Sequence, residues 1–392
     1  MTIAFTFPGQ GSQKQGMGAP WVKHPSWELV AEASRAADRD VERLLLQADA
    51  DELKATQNAQ LATYVLSLVI LDAVERLGAA PALAAGHSLG EYSALTAAGV
   101  IAFEDGVRLV AERGEAMRLA GEEREGAMAA VLGLDDDQVE EAAQAAGGDV
   151  WVANYNAPGQ VVIAGTPEGV DAAAAQAKAR GAKRVMPVPV SGAFHTPLMA
   201  PARERLRKAI ASVEFRDAAP EVFANVDAAG HTTAQDWPEL LGAQLTSPVR
   251  WRQTLYALAD RGVTTFVELG PGTVLTGMAK RTISGAKALS VSSPGELDTL
   301  LESLAGPTEV AFSRHEGEHL FASERLVVAP AAGVFTPVDA VDHGQPVRPG
   351  DILGTVNGRD VRSQFAGVLM GLLADQGERV TASQPIAWLR TA

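Results

Sequence analysis

The first apolar run, Ile3–Phe7, stops at Pro8-Gly9-Gln10-Gly11-Ser12-Gln13, a loop too rich in Gly and Pro to be helix or strand. A short buried strand feeding a polar loop is predicted. Residues 58–78 are apolar almost all round (Leu61, Tyr64, Val65, Leu68, Val69, Leu71, Val74), which predicts a core helix closed by Gly78 and Pro81. Thr63, Ser67 and Asp72 leave that helix too polar to span a membrane. Residues 83–85 then run into Gly86-His87-Ser88-Leu89-Gly90 and a helical stretch at 91–98. Strand, turn and helix in that order are the unit of a parallel α/β sheet.

Between about residues 124 and 190 the order changes to strand (128–132), helix (Asp136–Ala146), strand (150–154), strand (Gln160–Gly165), helix (167–181) and strand (183–188). This βαββαβ order predicts a ferredoxin-like subdomain inserted into an α/β-hydrolase-like body with a parallel sheet. The cleft between the two is the expected site. Strands at 222–226 and 264–269 complete the body. Lys is absent after Lys287, and residues 326–390 read as short β-rich runs separated by Gly, Pro and Asn, which predicts a separate all-β domain. Its halves are loosely alike: residues 338–347 and 372–380 each end in a turn whose Gly is followed three residues later by Val. The expected division is 1–123 with 191–300 for the body, 124–190 for the subdomain, 301–325 for a linker and 326–392 for the β domain.

The 392 residues suffice for these units, and 47% hydrophobic against 21% charged is an ordinary globular balance. Zero Cys removes a thiolate nucleophile, a disulfide framework and thiolate-bound metal together. A net charge of -15 argues against non-specific binding to nucleic acid or anionic membrane. The start Met1-Thr2-Ile3-Ala4-Phe5 has no basic region and meets Pro8 at once, so a cytoplasmic location is expected.

Gly86-His87-Ser88-Leu89-Gly90 matches G-x-S-x-G in the strand–turn–helix context which that motif needs. Its glycines permit a strained turn that presents Ser88 Oγ at a helix N-terminus, where a developing anion is favoured. His87 lies beside Ser88 and should point elsewhere, while His24, His231 and His343 sit in polar loops without chemical company. His195, in Ser191-Gly192-Ala193-Phe194-His195-Thr196-Pro197, follows the last strand of the subdomain and would face the cleft. His315-Glu316-Gly317-Glu318-His319 spells H-E-x-x-H, but Gly317 interrupts the helix on which that zinc signature depends, so no metal is expected.

Phe7-Pro8-Gly9-Gln10-Gly11-Ser12-Gln13, Gly86-His87-Ser88-Leu89-Gly90-Glu91-Tyr92, Arg113-Gly114, Asn154-Tyr155-Asn156-Ala157-Pro158-Gly159-Gln160, Gly192-Ala193-Phe194-His195 and Val267-Glu268-Leu269-Gly270-Pro271-Gly272 resemble, in that order, the malonyl-CoA:acyl carrier protein transacylases. The resemblance implies ping-pong transfer. Ser88 takes malonyl from malonyl-CoA as an ester, the phosphopantetheine thiol of an acyl carrier protein takes it from Ser88, and His195 serves as base and acid. It further implies an oxyanion hole of Gln10 and the Leu89 N–H, and a main-chain carbonyl near Gln244 that orients His195 in place of a carboxylate. Arg113 would pair with the malonyl carboxylate, with His87 and Phe194 also in the substrate pocket and Phe194 excluding an α-methyl branch. Read on its own, Arg113 in a helix over 107–119 is a solvated or ion-paired surface residue; the resemblance reverses that. No cofactor is implied.

Three readings stay open beside fatty-acid malonyl transfer: a serine hydrolase or thioesterase, loading of a polyketide carrier, and loading of a malonate decarboxylase carrier. Lys178, Arg180, Lys183, Arg184, Lys280 and Arg281 are the candidates for docking an acidic carrier. The C-terminal segment resembles biotinyl/lipoyl barrel-sandwich domains, with Asn357-Gly358, a type I′ turn, at the hairpin tip where a modified Lys would stand. Without Lys it cannot be modified in the usual way, which points to docking or a structural role.

Overall fold

The computed structural model describes residues 2–190, 192–304, 324–338, 344–363, 365–381 and 384–390. The chain divides into two compact units, Met1–Pro307 and Thr308–Ala392. Strands of the first unit are β1 (Ile3–Phe7), β2 (Leu83–Gly86), β3 (Ala127–Leu132), β4 (Val150–Ala157), β5 (Gln160–Gly165), β6 (Arg184–Pro187), β7 (Glu221–Phe223), β8 (Gly230–His231), β9 (Thr265–Leu269) and β10 (Lys287–Val291).

Six of them form one sheet in the order β10-β9-β1-β2-β7-β8, parallel except for β8. Its central strands β9, β1 and β2 are buried and mainly apolar, as expected where both faces are covered, with Thr6, Thr265 and Glu268 the polar residues among them. Phe5 and Val267 are partners on one face and join the larger core with the helix Thr56–Glu75, while Ala4 and Phe266 face the helices Trp251–Asp260 and Val274–Thr282. Register Phe7↔Gly86 sets the ends of β1 and β2 side by side, so the Gln10 loop and the Ser88 turn leave the sheet together. This is the carboxyl edge, where open α/β sheets bind ligands.

β3 to β6 form a second, antiparallel sheet in the order β4-β5-β3-β6, with the helices Asp136–Ala146 and Pro167–Ala179 in its connections. Val131, Val139, Val161, Ile163 and Ala173 give it a core of its own. Two backbone bonds, Tyr155 N–H to Val249 O and Val249 N–H to Ala153 O, both 2.9 Å, fasten β4 to the body just past Gln244. No helix among the described residues is long and apolar enough to cross a membrane.

The expected linker starts too early. Residues 301–304 belong to the helix Leu297–Leu304, because Leu297 and Leu300 are buried against the body. Residues 305–323, with the H-E-x-x-H match, lie outside the described residues.

In the second unit β11 (Glu324–Val328), β12 (Gly333–Pro337), β13 (Pro346–Val347), β14 (Ile352–Val356), β15 (Arg359–Arg362), β16 (Gly367–Leu372), β17 (Arg379–Val380) and β18 (Pro385–Arg390) make two four-stranded antiparallel sheets. Their orders are β11-β18-β16-β13 and β15-β14-β12-β17. Exchanging β11 with β15, β12 with β16, β13 with β17 and β14 with β18 turns one order into the other. The unit is therefore a repeated half, which accounts for the alike stretches before β13 and β17. Phe335, Val356, Leu369, Ile386 and Leu389 form its core. Asn357 (φ 49°) and Gly358 (φ 76°) join β14 to β15 with the two left-handed residues of a type I′ turn.

Candidate active site

β2 ends at Gly86 and the helix Gly90–Ala97 begins almost at once, so the chain reverses around Ser88. A Cβ on Gly86 would stand 1.9 Å from the carbonyl carbon of Gly90, and one on Gly90 would stand 2.0 Å from Phe7 O, which is why only glycine fits either place. Ser88 sits at φ 51°, a left-handed conformation costing about 1–3 kcal/mol for a side-chain-bearing residue unless its surroundings hold it. Three hydrogen bonds do so. Ser88 N–H donates to Asn225 Oδ1 (2.7 Å), Asn225 Nδ2 donates to Gly86 O (2.7 Å), and Gln244 Nε2 donates to Ser88 O (2.9 Å).

His195 lies 107 residues away in sequence, yet its Nε2 is 2.8 Å from Ser88 Oγ. Its Nδ1 is 2.9 Å from the main-chain oxygen of Gln244. A carbonyl only accepts, so the proton resides on Nδ1 and Nε2 is the acceptor for the Ser88 hydroxyl. Burial, with Arg113 nearby as a lesser cause, pushes the imidazole down to about 3, so it is neutral throughout the physiological range.

Arg113 departs from its local reading as a surface residue: it is 1% exposed. The helix Phe103–Glu123 that carries it is packed on both sides, against Thr56–Glu75 and Ala200–Ile210, so position 113 faces inward. Gly114 permits that approach, since a Cβ there would be 2.7 Å from Gln57 Cα. Arg113 Nη1 donates to Gln60 Oε1 (2.6 Å), and Nη2 donates to Gln244 Oε1 (3.0 Å) and Ser88 Oγ (3.1 Å). Its Cζ lies 5.5 Å from the centre of the Tyr92 ring. Ser88 Oγ thus accepts from a buried cation while facing a neutral imidazole.

The remaining predicted residues fall around this centre. Gln10 Nε2 donates to Thr56 Oγ1 (3.3 Å), and the Leu89 N–H stands at the start of the helix Gly90–Ala97. His87 Nε2 is 2.9 Å from Asn156 Oδ1, its ring edge-on to Trp251, and burial lowers its pKa. Phe194 is buried over Gly192. A cavity of about 300 Å³ lined by Trp151, Tyr155, Thr246 and Pro248 reaches His195.

Two histidines do have company. His24 Nδ1 accepts from the Ser26 N–H (3.2 Å), and His231 lies between Asp236 (3.1 Å) and Asp227 (3.0 Å), which the loop sequence around it does not announce. His343 lies outside the described residues. Arg180 is drawn to Glu141 and Gln176, whereas Lys183 and Arg184 lie beside the β4–β5 turn, where Arg281 donates to Gln160 Oε1 (2.9 Å).

Sequence reasoning missed Asn225 and Glu91. Asn225 stands just beyond β7, the strand next to β2, so a polar residue at that strand end was the available signal. Glu91 is fully buried and accepts on Oε2 from Gln244 Nε2 (2.7 Å) and from the Asn225 N–H (3.2 Å). Its signal was a carboxylate inside a helix otherwise made of small and apolar residues.

An acyl transferase domain matches residues 4–299. The malonyl CoA-acyl carrier protein transacylase of Bacillus subtilis is 43% identical over 307 residues, which is 77% of this chain and 97% of that protein. The protein of the same name from Escherichia coli K12 is 43% identical over 305 residues, covering 76% and 99%. Among solved structures, an acyl carrier protein S-malonyltransferase from Vibrio cholerae aligns with TM-score 0.74 at 39% identity, over 76% of this chain and all (100%) of that one. A malonyl-transacylase in complex with a type II polyketide synthase acyl-carrier protein aligns with TM-score 0.75 at 40% identity, over 77% and 100%. With the matched domain spanning most of the chain and these relatives covered almost end to end, the chain belongs to the acyl transferase family, among its malonyl CoA-acyl carrier protein transacylases.

Proposed function

We propose that this chain transfers malonyl from malonyl-CoA to the phosphopantetheine thiol of an acyl carrier protein through an ester on Ser88. The observation that carries the proposal is Ser88 Oγ, set 2.8 Å from a neutral imidazole nitrogen and 3.1 Å from a buried guanidinium. In the first half-reaction His195 Nε2 takes the hydroxyl proton as Oγ forms its bond to the thioester carbonyl carbon. The C–S bond then breaks and the same nitrogen returns the proton to the departing thiolate. The second half-reaction runs this in reverse with the carrier thiol. Gln10 and the Leu89 N–H hold the oxyanion, each such donor being worth roughly 3 kcal/mol. Gln244 O keeps the imidazole in the required tautomer, and Arg113 pairs with the free carboxylate through a planar fork. His87 and Phe194 bound the acyl pocket.

Arg113 also favours this reading over a general esterase, which gains nothing from a buried cation beside its nucleophile. Turnover of malonyl-CoA is the test: after the one CoA per protein released on loading Ser88, further CoA release should require the carrier thiol, and equally fast continued release of CoA and free malonate without carrier would support the hydrolase reading instead.

The second sheet of the first unit supports a ferredoxin-like subdomain over 124–190, and Lys183, Arg184 and Arg281, which meet around the β4–β5 turn, support a docking strip for an acidic carrier. For the C-terminal unit, the repeated half supports a biotinyl/lipoyl-type barrel sandwich. Its hairpin tip is tied down, Asn357 Nδ2 donating to Ala332 O (3.2 Å) and its Oδ1 accepting from the Val334 N–H (3.3 Å). With no Lys, the unit serves as a docking or structural module.

A further inference from the structure

The Gln244 side chain joins three parts of the site, and its amide must be turned the right way to do so. Nε2 donates to Glu91 Oε2 (2.7 Å) and Ser88 O (2.9 Å), while Oε1 accepts from Arg113 Nη2 (3.0 Å). The two ends of a carboxamide are nearly equal in shape, so only the chemistry of the partners decides which end faces the guanidinium. Ser88 O already accepts the Glu91 N–H (3.2 Å), which leaves Glu91 Oε2 as the closer acceptor for Gln244. Glu91 is fully buried, its Oε1 has no hydrogen-bond partner, and burial pushes its carboxyl up to about 8. Near neutrality Glu91 is therefore mostly the neutral acid, and Oε2 still accepts as a carbonyl oxygen.

We propose that Glu91 is a positioning residue for acyl-group selection: an acceptor beneath the nucleophile turn that fixes the Gln244 amide and, through it, the Arg113 guanidinium that reads a free carboxylate. The inference rests on the reading of Arg113 as the carboxylate partner. Without the Glu91 acceptor Nε2 keeps only Ser88 O (2.9 Å) and Asn225 Oδ1 (3.4 Å), so the Gln244 amide loses its shortest hydrogen bond and the guanidinium that leans on its Oε1 shifts from its place.

The test compares Glu91→Met, which keeps bulk and removes the acceptor, with Glu91→Gln, which keeps an acceptor at the Oε2 position. The readout is the ratio of kcat/KM for Ser88 loading from malonyl-CoA to that from acetyl-CoA. Glu91→Met should lower this ratio about 10- to 100-fold, mainly through the malonyl KM, as a misplaced binding group does. Glu91→Gln should restore it to within about threefold of the unsubstituted protein. A folded Glu91→Met with an unchanged ratio overturns the proposal, and so does a Glu91→Gln as impaired as Glu91→Met, since charge rather than acceptor geometry would then matter. Should Glu91→Met fail to fold, Gln244→Met removes the middle of the relay while leaving its main-chain oxygen on His195; the same fall supports the proposal and an unchanged ratio overturns it. Arg113→Ala separates the two levels. Selectivity lost there but kept in Glu91→Met refutes this inference alone, whereas selectivity kept in Arg113→Ala refutes the underlying reading and the inference with it.

Discussion

Replacing Arg113 by Ala separates the proposed carboxylate recognition from the acyl chemistry itself. The guanidinium is 1% exposed, and its Nη2 points at Ser88 Oγ, so an acyl group on that oxygen brings a carboxylate within its reach. A charge-assisted hydrogen bond contributes about 1.5–3 kcal/mol, and removing one partner of a buried pair costs about 3–5 kcal/mol. Taking about 2–4 kcal/mol for the malonyl carboxylate gives a loss of about 30- to 1,000-fold in malonyl loading at roughly 1.4 kcal/mol per tenfold. Acetyl has no carboxylate. With that substrate the buried cation keeps its neutral partners but meets no carboxylate, so its removal should leave acetyl loading steady or raise it. Stopped-time intact mass measurement of the acyl-protein, run with each thioester on one preparation, reads both rates. Equal losses for both would refute the reasoning and make Arg113 a packing residue that holds Gln60 and Gln244 in place.

Three other outcomes are expected. Because burial pushes His195 down to about 3, Ser88 loading should show no acid limb with a midpoint near 6.5 when measured between about pH 5 and 8; such a limb would contradict the neutral-imidazole description. Burial opposes protonation of His231, yet its bonds to Asp236 and Asp227 prevail and raise its pKa above 6.5. Its stabilisation is therefore fully present below 6.5 and lost as pH rises through the raised value, so His231→Gln should lower the melting temperature more at pH 6 than at pH 8.5, and an equal drop at both would contradict it. Deleting residues 318–392 should leave malonyl transfer largely intact, because all the proposed site residues lie in the first unit; a folded but inactive truncation would assign the β unit a part in catalysis.

The parallel sheet and the nucleophile turn were legible because glycine spacing and apolar runs are local signals. The same holds for the helix Asp136–Ala146 and strand Gln160–Gly165, which begin and end at the predicted residues. β4 runs on to Ala157 instead of stopping at residue 154, since its polar Asn154-Tyr155-Asn156 end is paired with β5 through two irregularities in register. Burial of Arg113 was not legible in its own helix: it depends on two other helices packing over it, and only the family resemblance reached it. Asn225 and Ser88 are 137 residues apart, and Gln244 and Glu91 are 153 apart. Spacing along the chain carries no trace of such pairs. The left-handed φ of Ser88 was implied by the flanking glycines, whereas the polar network that holds it belongs wholly to the tertiary fold.

The central claim, a malonyl ester on Ser88 made with His195 as base, is tested most directly by intact mass of the protein mixed with malonyl-CoA, followed by peptide mapping of the adduct. One malonyl group on the peptide containing Ser88 is predicted, absent in Ser88→Ala, formed orders of magnitude more slowly in a folded His195→Ala, and discharged by the thiol of a holo carrier protein. An adduct that persists in Ser88→Ala, or full transfer by that protein, would contradict the account.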